Sequence, residues 1–210
     1  PLIRFCPLDL LGLAVGLAFE VLGVLRGWQP EPLSQLGIVA LFGLAFVPAP
    51  PLFSWTGGHL YPLNSPAWSL FFELVANFIY ALVARFLSWR VFAIGLPVAA
   101  IGVVFTVVRS SDAGPGWLWS HLDAGLARVT YCFFAGVMIY RLRSVIRIPA
   151  VPAWAAVLLL LAIFAVPTPS FFWRQVFDCF AAIVLMPLLV AFASGAKIEG
   201  WAARACGWLG

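Results

Sequence analysis

The sequence predicts an all-α fold, a polytopic bundle of transmembrane helices, and three observations carry that prediction. Hydrophobic residues make up 64% of the chain and charged residues only 10%, against about 25% charged in an ordinary soluble domain. The mean hydropathy is +1.05. The apolar runs are continuous over about 17 to 20 residues, the length a helix needs to cross hydrocarbon, and they lack the polar–apolar alternation of a membrane barrel.

The elements follow in order. Residues 8–25 form the first span, with Asp9 and Glu20 near its ends. A polar loop at 26–34 carries Pro30 and Pro32. Residues 36–53 are weaker, because Pro48, Pro50 and Pro51 break their end. That segment is expected to re-enter or lie flat rather than cross. The loop at 54–66 is rich in Gly, Pro and aromatics and feeds a span at 67–84. Residues 91–108 form a span kinked at Pro97, and the 109–125 loop offers Trp117 and Trp119 as interfacial anchors. Spans at 126–140, 152–166 and 176–192 complete the series. With no internal repeat and no long linker, residues 1–210 read as a single transmembrane domain. The opening on Pro1 and the end after Trp208-Leu209-Gly210 read as those of a piece of a longer protein.

Charge sets the orientation. Arg85 and Arg90, then Arg141, Arg143 and Arg147, then Lys197 and Arg204 lie in regions separated by pairs of spans, whereas Arg109 and Arg174 lie between them. The richer side is expected to be cytoplasmic. The 54–66 loop is then extracytoplasmic, and Glu73 is expected roughly 9 Å below the outer entrance at 1.5 Å per residue. The net charge of +4 belongs to helix ends and gives no reason to expect nucleic acid. Cys6, Cys132, Cys179 and Cys206 are scattered, with no metal spacing, and read as small buried thiols.

The chemistry concentrates at 64–73. Glu73 is an ionisable group inside a span, which is expensive unless it faces a partner, a cavity or a substrate. Ser69, Glu73 and Asn77, spaced by four, share one helical face, and Tyr80 extends it. Each candidate also has a plainer reading. Ser69 and Asn77 can hydrogen-bond between helices, and Trp68 can belong to an interfacial belt. Arg128 can snorkel to headgroups near Asp123, and Arg4 can be a positive-inside anchor. His59 and His121 are loop residues without a motif around them, and Asp178 reads as a cap or a partner of Arg174.

Asn64-Ser65-Pro66-Ala67-Trp68-Ser69-Leu70-Phe71-Phe72-Glu73 resembles the Asn-x-x-x-Trp-Ser-Leu-x-x-Glu signature of the acyltransferase 3 family of membrane-bound acyltransferases. Arg4-Phe5-Cys6-Pro7 before an apolar helix is similar to the end of the family's Arg-x-x-Arg-x-x-Pro element. Arg128 followed by Phe133, Phe134 and Gly136 resembles its later Arg-containing helix, and Trp208-Leu209-Gly210 the lead-in to its last core helix. The resemblance implies transfer of an acyl group, usually acetyl, from cytoplasmic acyl-CoA (acetyl-CoA) to a hydroxyl of an extracytoplasmic cell-envelope glycan. It implies a multi-pass protein of the cytoplasmic (inner) membrane and no metal.

The implied roles are catalysis for Glu73 and Arg128, substrate binding for Asn64, Trp68, Ser69 and Asn77, and coenzyme A phosphate binding for Arg4. Glu73 would orient the acceptor hydroxyl or hold a histidine tautomer. Arg128 would pair with Glu73, or hold a phosphate or developing oxyanion. The family's basic histidine, the arginine paired with it, the first Arg of the Arg-x-x-Arg pair and the final helix are absent from this sequence, so the piece alone is expected to be inactive. The competing readings are a carrier using Glu73 and Arg128 as an ion or proton site, with Pro-broken helices as gates, and a structural membrane subunit.

Overall fold

The computed structural model describes residues 2–28, 32–110, 116–145, 152–196 and 203–204, with the side chains of 2–6 and Ser54 outside that description. Among the described residues the helices are α1 (Leu2–Leu25), α2 (Leu33–Leu44), α3 (Ala67–Val83), α4 (Trp89–Arg109), α5 (Leu122–Leu142), α6 (Ala153–Phe164) and α7 (Phe171–Ala193). Five of them, α1, α3, α4, α5 and α7, are long and apolar enough to cross a membrane. The fold is the all-α polytopic one that the hydropathy predicts.

The chain forms two compact units, residues 1–84 with 115–126, and residues 85–114 with 127–210. In the first, α2 packs on α1 around Leu13, Leu36, Val39, Ala40, Ala49 and Leu63. Gly43 lets the helices approach, since a Cβ there would stand 2.8 Å from Leu13 Cδ1. At 12 residues, α2 is about 18 Å long, well short of a ~30 Å hydrocarbon core. It ends in a left-handed residue, Phe46 (φ 55°). The amide of Phe46 bonds to the Gly43 carbonyl and that of Val47 to the Phe42 carbonyl, the paired closure that glycine usually makes at a helix end. Tyr61 Oη donates to the Phe46 carbonyl at 2.9 Å and holds the strained residue.

The ends of the 36–53 segment then meet. Trp55 Nε1 donates to Gln35 Oε1 at 2.9 Å, which ties the two flanks of the segment together. Ala49 is pinned from two sides: its amide bonds to the Leu60 carbonyl at 2.8 Å, and its carbonyl accepts from Trp119 Nε1 at 2.7 Å. The 57–60 and 117–119 segments pair across a bridge between His59 and Leu118, with Leu60 N bonded to Trp117 O and Trp119 N to Gly58 O.

In the second unit, Phe92, Leu96 and Ala135 pack with Tyr131, Phe134, Val137 and Met138, joining α4 to α5. Gln175 of α7 donates to the carbonyls of Val107 and Ser110 at 2.9 and 3.2 Å, capping the end of α4. Two spans differ from the sequence prediction. Residues 109–125 are not loop throughout, because α5 starts at Leu122. The 152–166 span gives only the 12-residue helix Ala153–Phe164, about 18 Å long, since Pro167 and Pro169 oppose its continuation.

Midway along α7, Ala181–Leu185 form a π-turn. Its cause is Pro187, whose ring clashes with the carbonyl four residues back and which has no N–H to offer it. That carbonyl belongs to Ile183, and Tyr131 Oη of α5 donates to it at 2.7 Å.

Candidate functional site

The first helix carries a groove. Gly12 and Gly16, four apart, present one bare strip of α1. A Cβ on Gly16 would lie 1.8 Å from the Leu63 carbonyl oxygen, and one on Gly12 would lie 2.9 Å from the Asn64 amide. Residues 61–64 are laid in this groove. Gly16 is the midpoint of the candidate span Pro7–Leu25, so the chain has reached the middle of α1 before α3 begins.

The segment that leads into α3 is therefore seated on α1, and α3 starts at Ala67, just after the residues at Gly12 and Gly16.

Asn64 is the anchor. Its Nδ2 donates to Asp9 Oδ1 at 2.8 Å and to the Asp9 carbonyl at 3.3 Å. Asp9 is 4% exposed, so this charge-assisted contact sits where water competes weakly. A narrow cleft opens beside the pair, lined by Leu13, Val39, Ala49, Leu60 and Tyr61 among others. Burial first, and the Asp9 charge second, push the Tyr61 phenol above its ordinary value. Asp9 is the residue that sequence reasoning passed over. The sequence placed it only near a span end, and the signal that would have found it is the Gly12-x-x-x-Gly16 strip next to it.

The α3 residues then take different roles. Phe72 and Ala76 form its buried edge, and Phe72 fills the space left at Gly125, where a Cβ would stand 2.4 Å away. Trp68 packs edge-on against Phe72 at 5.9 Å and lies under Gly116, 2.9 Å from where a Cβ would be. Glu73 and Asn77 are half-buried, and Ser69 is exposed. Ser69 Oγ donates to the Pro66 carbonyl at 2.9 Å, and Asn77 Nδ2 to the Glu73 carbonyl at 2.8 Å. Two of the three polar groups on the predicted stripe are therefore occupied by their own backbone, a common local alternative for such side chains. The Glu73 carboxyl is not used in either bond.

Arg4 lies in the first turn of α1, and its side chain is outside the described residues. His59 sits on the 57–60 segment and His121 two residues after the 117–119 segment. His59 Nδ1 is 2.7 Å from the Thr56 carbonyl. His121 Nδ1 is buried without a hydrogen-bond partner.

In the second unit, Arg128 of α5 is close enough to Asp178 and Cys179 of α7, and to Cys132 of its own helix, for its charge to act on each. Asp178 thus lies in the field of both Arg128 and Arg174, where the sequence suggested a cap or a partner of Arg174. Among the described residues no group of three or more His, Cys, Asp or Glu is arranged to hold a metal ion. No protein-family model, no curated protein and no solved structure matches the chain.

Proposed function

We propose that this chain is part of a membrane O-acyltransferase that moves an acyl group from cytoplasmic acyl-CoA to a hydroxyl of an extracytoplasmic glycan. The observation that carries the reading is the Asp9–Asn64 contact. The first residue of the family-like segment is fixed to a buried acid on α1, so the segment from Asn64 to Glu73 is a built element rather than a stretch of lipid-facing helix. A carboxylate inside an apolar span suits a reaction whose donor and acceptor arrive from opposite faces.

In this reading Glu73 orients the acceptor hydroxyl or the base that deprotonates it, a role worth about 10²–10⁴-fold in rate. The resemblance gives Arg128 the role of holding a phosphate or a developing oxyanion. Arg4 holds the coenzyme A phosphates, to which a planar guanidinium is suited. The acceptor's proton leaves to the base and the coenzyme A thiolate leaves on the cytoplasmic side.

The test is acyl transfer by the full-length protein in vesicles supplied with radiolabelled acetyl-CoA and envelope glycan. Wild type transfers label, and Glu73→Gln lowers the rate by about 10²-fold, because a base or hydroxyl left unpositioned forfeits much of the proton-transfer contribution. Solute flux without transfer would replace this reading with the carrier, in which the Pro-broken helices would act as gates.

A further inference from the structure

The arginine-rich end of the second unit holds a cleft of about 650 Å³ lined by Trp89, Tyr140, Arg141, Arg143, Ser144 and Val145. It lies where α4 begins and α5 ends. Arg141 is already fixed: its Nη1 donates to the Leu87 carbonyl, and its Cζ stands 5.2 Å over the Phe92 ring. Ser144 Oγ closes the turn by donating to the Arg141 carbonyl at 2.7 Å. A guanidinium held in this way keeps its remaining N–H groups in a set direction.

Arg143 differs. It is exposed, and its guanidinium has no partner among the described residues. Nor is there an acid nearby in sequence to neutralise either arginine, since no Asp or Glu occurs between Asp123 and Asp178 or between Glu73 and Asp112. The first backbone N–H groups of α4 add partial positive charge at the same place. Trp89 (52% exposed) and Tyr140 (75% exposed) offer flat apolar faces beside this charge.

We propose that this cleft binds a phosphate ester, with Arg143 and the fixed Arg141 on the phosphate oxygens and Trp89 and Tyr140 against the apolar or aromatic part of the same molecule. Guanidinium groups pair with phosphate in bidentate fashion, and the cleft is lined by both arginines and both rings. The phosphate can belong to an anionic phospholipid headgroup or to a nucleotide such as coenzyme A. Only the second source touches the acyltransfer reading, and binding is measured without turnover, so the two can fail separately.

The test uses the full chain in phosphatidylcholine nanodiscs, with native mass spectrometry to follow added phosphatidylglycerol and equilibrium dialysis to follow adenosine 3′,5′-bisphosphate. Wild type retains at least one probe, and Arg143→Gln weakens it about tenfold, the scale of one charge-assisted hydrogen bond. Trp89→Ala weakens the same probe. A phosphatidylglycerol effect alone assigns the lipid source, and a bisphosphate effect assigns the nucleotide source. Retention of both probes unchanged in Arg143→Gln and Trp89→Ala, or binding of neither by wild type, overturns the proposal.

Discussion

Asn64 donates its side-chain amide to the carboxyl of Asp9, 55 residues earlier in the chain and almost fully buried. Removing one partner leaves the other buried and unsatisfied, which costs about 1–3 kcal/mol. Asn64→Ala and Asp9→Ala are each expected to lower the thermal unfolding midpoint of the detergent-solubilised protein. The double variant should lose less than the sum of the two. Strict additivity would mean the two side chains do not interact.

Gly16 tests the groove directly. An added Cβ would stand 1.8 Å from the Leu63 carbonyl oxygen, a backbone atom that cannot swing aside. Gly16→Ala is expected to displace residues 61–64 and lose folded protein. Gly37 of α2 has open space around its Cβ position, so Gly37→Ala should be neutral or stabilise by up to about 1 kcal/mol through helix propensity. Detergent-stable yield of the two variants is the measurement, and equal behaviour would rule out the close approach.

The Trp55–Gln35 hydrogen bond predicts which faces of the membrane are reached. Cysteines placed at Ser34 and Ser54 in a cysteine-free background should react with a membrane-impermeant maleimide from the same side. Labelling from opposite sides would show that residues 36–53 cross.

Tyr131 and Pro187 form a pair through the Ile183 carbonyl. Tyr131→Phe should cost about 1 kcal/mol in the native background. With Pro187→Ala, an N–H becomes available to that carbonyl and the π-turn can close to regular helix, so the cost of Tyr131→Phe should shrink. A double-mutant cycle from thermal unfolding gives the answer, and a cost independent of residue 187 would remove Pro187 as the cause of the turn.

Tyr61 predicts a response to alkali. Its phenol is held above the ordinary value, by burial first and the Asp9 charge second. The unfolded phenol ionises near pH 10 while the folded one stays neutral. The stabilisation is therefore complete below pH 10 and is lost as pH rises through the folded value. Tyr61→Phe should flatten the alkaline fall in unfolding midpoint, although it also releases the Phe46 carbonyl and lowers stability at neutral pH. An unchanged alkaline slope would remove Tyr61 as its source.

The sequence by itself determined the solvent and the secondary structure. Long apolar runs can satisfy their backbone in hydrocarbon only as helices, and the prolines after Val47 already marked the end of the helix in 36–53. It also singled out the Asn64–Glu73 segment, because a carboxylate inside a span demands a reason. Tertiary structure decided what that segment rests on. Asp9 is only an acid near a span end until the Gly12 and Gly16 strip is seen to admit residues 61–64. The side chains of Ser69 and Asn77 also donate to backbone of their own segment, which helical spacing alone does not show. The reason is one of range: hydropathy and helical spacing act over a few turns, whereas the partner of Asn64 lies 55 residues away in the chain.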